Sequence, residues 1–103
     1  MKSVINPVHL TFQAARTIII EYLNETSIAI DRRDYPAIKK CFGTCERLYQ
    51  NGNAFVRMLV ENLYIYSLSL HLPADKKRRH EIEELLPPQL SLIYRSQLYQ
   101  HGC

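Results

Sequence analysis

The break at Asn51-Gly52-Asn53 separates two stretches whose apolar residues recur every three or four positions. Before it stand Ile38, Cys41 with Phe42, Cys45, and Leu48 with Tyr49; after it come Phe55 with Val56, Leu59 with Val60, Leu63, Tyr66 with Ser67, and Leu70. Such spacing gathers apolar side chains on one face of a helix. Two helices joined by so short a turn fold back on each other as an antiparallel hairpin, so that their stripes meet. The turn chemistry agrees: Gly52 suits the left-handed position after a helix C-terminus, and Asn53 can cap the next helix. Pairing outward from the turn sets Leu48 opposite Val56, Cys45 near Leu59 and Phe42 near Leu63. The same register brings Glu46 to Arg57, itself one turn from Glu61, and predicts a Glu46–Arg57–Glu61 charge cluster.

The rest of the chain reads as helices around this hairpin. Asn6 and Pro7 supply an N-cap and a first helical position, and Phe12, Ala15, Ile19, Tyr22 with Leu23, Thr26 and Ile30 form one stripe. Ile18 and Ile20 widen that stripe, so this first helix is contacted on more than one side; Asn24 to Ser27 is its weakest section and the place for a bend. Pro36 disfavours helical geometry at Tyr35 and sets the boundary with the second helix. Pro73 stops the third helix near Leu72. Asp75 caps a short charged helix anchored by Ile82 and ending at Leu85-Leu86, and Pro87-Pro88 precedes a last helix with Leu90, Ile93, Tyr94 and Leu98 facing inward. Only three glycines and five prolines interrupt the pattern, and no segment alternates with period two. The expectation is one all-α domain over residues 1–103, a compact bundle of four to five helices built around the central hairpin.

Charge and thiols exclude more than they select. The formal net charge of +3 comes from Lys76-Lys77-Arg78-Arg79. On a helix, Lys77–Glu81, Arg79–Glu83 and His80–Glu84 are one turn apart and offset each other. Basic residues at that helix's N-terminus oppose its dipole, which leaves room for an anionic partner. Lys76, Lys77, Arg78 and Arg79 are therefore the contacts of an alternative reading, a nucleic-acid-associated regulator. Nucleic acid is the minor reading, because basic residues do not spread over a whole face.

Cys41 and Cys45 lie on the apolar stripe with no second pair to complete a metal site, so they read as core residues. No metal or cofactor is implied. His9, His71, His80 and His101 sit near element ends, and no nucleophile–histidine–acid set or Glu-x-x-His pair is present. The chain does not read as an enzyme. Thr17 to Ile20 is cut by Glu21, far short of the roughly 20 apolar residues of a membrane span. No apolar run follows Met1-Lys2, and with thiols expected to be reduced the expected setting is cytoplasmic, away from membranes.

What remains points to protein binding. Seven tyrosines and no tryptophan supply bulk with polar tips. Tyr64 and Ile65 fall off the main stripe of the third helix, as Leu92 and Tyr99 do on the last. Side chains left over once one core is filled suggest a protein–protein surface, for another protein or a second copy in a homodimer. Arg57, Glu61, Tyr64 and Tyr99 are the candidate contacts.

Phe42, Glu46-Arg47-Leu48, the turn at Gly52, Val56-Arg57, Val60-Glu61-Asn62-Leu63, Leu86-Pro87-Pro88, Leu90 and Tyr94 together give the segment a resemblance to a family of uncharacterised small helical bacterial proteins. The resemblance covers about half the chain and leaves out the first helix. It implies a charged-flanked helix pair followed by a proline-marked last helix, carries no activity, and, through likeness to immunity or adaptor components, favours protein binding.

Overall fold

The computed structural model describes residues 11–101, with side chains as far as Leu98. The helix start expected at Asn6 and Pro7 lies outside them. Helix α1 (Phe12–Asp31) is capped by Thr11, whose hydroxyl accepts the Ala14 N–H at 3.2 Å. It stays helical through Asn24–Ser27. Thr26 explains why a weak stretch holds: it is fully buried, and its hydroxyl meets the Tyr22 carbonyl at 2.7 Å and the Tyr64 hydroxyl at 2.6 Å.

The chain leaves α1 through Arg33, whose φ of 56° is the one positive value at a non-glycine among the described residues. Asp34 N–H reaches back to the Ala29 carbonyl at 2.9 Å, closing the end of α1 as helix-terminating glycines do. Asp34 then caps α2 (Tyr35–Asn51), which places the boundary at Tyr35 as expected. Ile38, Cys41, Phe42 and Cys45 are buried along one face of α2.

At the turn into the third helix the structure corrects one expectation. Gly52 is extended, with φ −85° and ψ 163°, and not left-handed. Space is what demands glycine there: a Cβ would stand 2.5 Å from Val56 Cγ1 and 2.6 Å from the Leu48 carbonyl oxygen. Asn53 caps the next helix as expected, its side chain accepting the Val56 N–H at 3.0 Å.

Helix α3 covers 54–71 in three parts: α-helical Ala54–Leu59, a π-helical segment Val60–Ile65, and α-helical Tyr66–His71. The wider π turn holds one more residue than an α turn and delays everything after it. Up to Val60 the buried stripe follows the expected α spacing, through Val56, Leu59 and Val60. Beyond it Tyr64, Ile65 and Leu68 are buried, while Tyr66 and Leu70, expected inside, are exposed.

Helices α4 (Lys76–Glu83) and α5 (Pro88–His101) complete an all-α bundle. The α2–α3 hairpin is present, and α1 packs along both of its arms. Asp75 caps α4, accepting the Arg78 N–H at 2.9 Å. Helix α5 has no side-chain acceptor of its own in front, because Pro87 precedes it. Glu46 of α2 fills that role from across the bundle, accepting the N–H groups of Gln89 at 3.2 Å and Leu90 at 3.0 Å. The predicted Glu46–Arg57–Glu61 cluster therefore does not form, since the carboxylate of Glu46 is buried against the N-terminus of α5.

Two stability predictions follow from these contacts. Arg33→Gly relieves the left-handed strain and raises the urea unfolding free energy by about 1 kcal/mol. Glu46→Ala strands two amides at the head of α5 and lowers stability by about 2 kcal/mol, with Glu46→Gln, which keeps an acceptor, losing less in the same measurement.

Candidate binding groove between the third and last helices

The extra residue of the π segment determines which α3 side chains reach solvent beside α5. Tyr66 and Leu70 turn outward there, and Leu92 and Leu98 of α5 are exposed along the same seam. Leu70 and Leu92 are the most exposed of the large apolar side chains described, at 71% and 69%. Leu98, expected inside, stands out because the inward face of α5 runs through Leu90, Tyr94 and Gln97. Two adjoining hollows line the seam. One of about 560 Å³ is bounded by Tyr49, Glu61, Asn62, Tyr66, Leu92 and Gln97 among others, and one of about 230 Å³ by Tyr66, Leu70, Tyr94, Gln97 and Leu98 among others. Tyr66 and Gln97 belong to both, so the two form one groove.

Its upper end is polar. Tyr49 donates to Glu61 Oε2 at 2.6 Å, and the carboxylate beside that hydroxyl pushes the tyrosine pKa up. Arg57 makes no ion pair with Glu61 and donates from Nε to the Tyr49 carbonyl at 3.4 Å. Gln97 crosses the groove floor: its Nε2 donates to the Glu61 backbone carbonyl, within the π segment, at 2.6 Å. That bond fixes the amide orientation, and the Gln97 Oε1 is buried with no partner among the described residues.

The candidate contacts thus divide. Glu61 lies in the groove and Arg57 at its rim beside Tyr49, Gln50 and Gln89. Tyr64 is at 0% exposure and belongs to the core, moved there by the π segment. The side chain of Tyr99 lies outside the described residues. Of the basic run, Lys76 and Lys77 are exposed, but Arg78 and Arg79 are half-buried and bound to backbone carbonyls. Arg78 Nη2 donates to Ile30 at 3.4 Å, and Arg79 Nε to Pro73 at 3.1 Å. Among the described residues the expected Lys77–Glu81 and Arg79–Glu83 ion pairs are not made. Glu81 accepts from Tyr35 and Glu83 from Tyr94, while His80 and Glu84 do approach, at 3.7 Å. Gln97 was missed, although its place seven residues after Leu90 on the inward stripe marked it as a polar residue facing in.

Cys41 and Cys45 are buried free thiols, as expected of core residues. Burial pushes the Cys45 thiol up to about 12, the Tyr64 hydroxyl beside it rises well above its ordinary value, and both stay protonated in the fold. The unfolded chain releases the thiol proton near 9.0, so between that pH and about 12 it binds fewer protons than the folded protein. Stability must therefore fall as pH rises through this window. Urea midpoints measured from pH 8 to 11 will show the decline, and Cys45→Ala will make it shallower, the raised Tyr64 and Tyr94 hydroxyls keeping part of it.

Fold and groove define the class: a small all-α domain with a part-apolar, part-polar groove between two helices. The chain belongs to the family described as a domain of unknown function (DUF7674), whose model matches residues 6–100. The match takes in α1, which the resemblance read from sequence left out. No curated protein and no solved structure matches the chain. No helix among the described residues is long and apolar enough to cross a membrane.

Proposed function

We propose that the protein is a non-catalytic module that binds another protein through the groove between α3 and α5. The observation that carries this reading is the concentration of exposed apolar side chains. Of the eight large hydrophobic residues exposed among those described, Tyr66, Leu70, Leu92 and Leu98 border this one groove. Contiguous apolar surface rimmed by polar groups favours a protein partner.

The groove's chemistry agrees with a binding role: among the described residues that line it, Glu61 is the one carboxylate, and it is held by a tyrosine. The basic run is less suited to nucleic acid than its sequence suggests, since Arg78 and Arg79 are engaged with carbonyls and only two lysines stand free of them. Buried free thiols fit a reducing, cytoplasmic setting.

Affinity capture from the source cell's lysate, with nuclease and at two salt concentrations, tests the reading. The wild-type protein should retain a stoichiometric protein partner, and Leu92→Asp, checked for native helicity by circular dichroism, should lose it. Recovery of nucleic acid that is lost with salt, independent of Leu92, would overturn the reading in favour of Lys76 and Lys77.

A further inference from the structure

We infer that α4 is a strap that detaches from the bundle as a unit, while α1, α2, α3 and α5 stay folded without it. Its closed state is held by Ile82 in the core and by two tyrosine latches, Tyr35 of α2 on Glu81 and Tyr94 of α5 on Glu83. The strap does not depend on what the groove binds, and its failure leaves the binding reading untouched.

By itself α4 is a poor helix. Its 8 residues are fewer than the roughly 12 to 15 at which an isolated helix becomes even marginal in water. Its first turn holds Lys76, Lys77, Arg78 and Arg79 and no acidic residue, so the charge there opposes the helix dipole. Docking must therefore supply its stability, and the docking is slight. Ile82 is the buried residue of α4, whereas α1 and α2 bury five each. The remaining ties are side-chain hydrogen bonds: Tyr35 to Glu81 at 2.9 Å in an exposed position, Tyr94 to Glu83, and Arg78 Nη2 to the Ile30 carbonyl at a long 3.4 Å. The bonds of Arg79 run to Pro73 and Ala74, on the loop that leads into α4, and hold it to no other helix. Docking also leaves Arg78 Nε buried with no partner among the described residues, a cost that release into water removes.

The helices around it are joined without its help. Helix α1 packs on α2 and on α3 directly. Helix α5 is tied to α2 by the Glu46 carboxylate on Gln89 and Leu90, and to α3 by Gln97 on the Glu61 carbonyl. The segment that carries α4 lies between Pro73 and Pro87, and the chain enters it through Leu72 in an extended conformation, so helix is continued across neither junction. A hollow of about 150 Å³ already separates α4 from α5, lined by His80, Glu83, Tyr94 and Arg95 among others. Release empties the core position of Ile82 and frees the hydroxyls of Tyr35 and Tyr94. Any ligand that prefers one of the two states then shifts the balance between them.

Native-state hydrogen exchange of the full-length protein, followed residue by residue by NMR at low urea concentrations, is the test. The amides of Arg79 to Glu84 should exchange at least about 100-fold faster than the slowest amides of α1, α2 and α3, yet more slowly than in an unfolded chain. Their rates should change little with urea, because little surface opens with them. Val56→Ala separates release of the strap from global unfolding. Val56 is buried at the hairpin turn, and Tyr35 lies at the far end of α2, about 25 Å away along a helix of 17 residues. The substitution weakens a core common to the closed and released states. It should speed the slowest amides at least about tenfold and leave Arg79 to Glu84 unchanged. Tyr35→Phe removes a latch and should speed Arg79 to Glu84 about threefold to tenfold. Exchange of α4 in step with the core, in the wild type and in Val56→Ala alike, would overturn the strap. Rates equal to those of an unfolded chain would overturn it too, since no closed state would then exist to release. An α4 rate unmoved by Tyr35→Phe would overturn the assignment of that tyrosine as a latch.

Discussion

The carboxylate of Glu46 holds the head of α5, the helix that forms one wall of the groove. A helix that begins at Pro88 behind Pro87 has a rigid start but no side-chain acceptor for its first amides. By accepting from Gln89 and Leu90, Glu46 satisfies two of them and ties the helix to the middle of α2. Negative charge at a helix N-terminus is favoured by the dipole as well as by the hydrogen bonds. Leu90, at 0% exposure, then seals the contact against water. With its head fixed there, α5 lies against the π segment and the last turns of α3, and the seam between them becomes the groove.

The π segment is the second half of the same construction. A continuous α-helix would put Leu63, Tyr66 and Leu70 on the buried face and leave Tyr64 outside. The extra residue reverses this. Tyr64 enters the core, where its hydroxyl finds Thr26 at 2.6 Å, so a bulky polar-tipped side chain is buried without an orphaned oxygen. Tyr66 and Leu70 are displaced to the surface by the same shift. In the π segment the Glu61 carbonyl also receives the Gln97 amide, and the Gln97 Oε1 is left buried with no partner among the described residues. A single irregularity in α3 thus completes the core on one side and shapes the exposed groove on the other.

These two features separate what was legible in the sequence from what was not. Helix boundaries and caps followed from local chemistry: the second helix begins at Tyr35, Asn53 and Asp75 each cap the helix that follows, and Cys41 and Cys45 lie in the core along the stripe that placed them there. Local reasoning failed where a long-range contact decided. Glu46 has two plausible uses, a neighbour on the hairpin or the head of a helix more than forty residues away, and spacing alone favours the nearer. The stripe of α3 was ambiguous because both possible faces, 63–66–70 and 64–65–68, carry apolar residues. Choosing between them requires Thr26 on α1, which only the assembled fold brings to Tyr64.

The basic run illustrates the same distinction in the opposite direction. Four consecutive cations invite a reading as a ligand surface, yet two of the guanidiniums serve the fold, Arg78 on the end of α1 and Arg79 on the loop that leads into α4. Their long stems cover apolar surface while their heads satisfy carbonyls left free at helix ends and in the connecting loop. The groove shows the converse pattern. Its carboxylate has no cation, and its buried amide oxygen has no donor. The exposed leucines of the α3–α5 groove, more than the count of charges, are why the proposed binding reading rests there and not on the Lys76–Arg79 run.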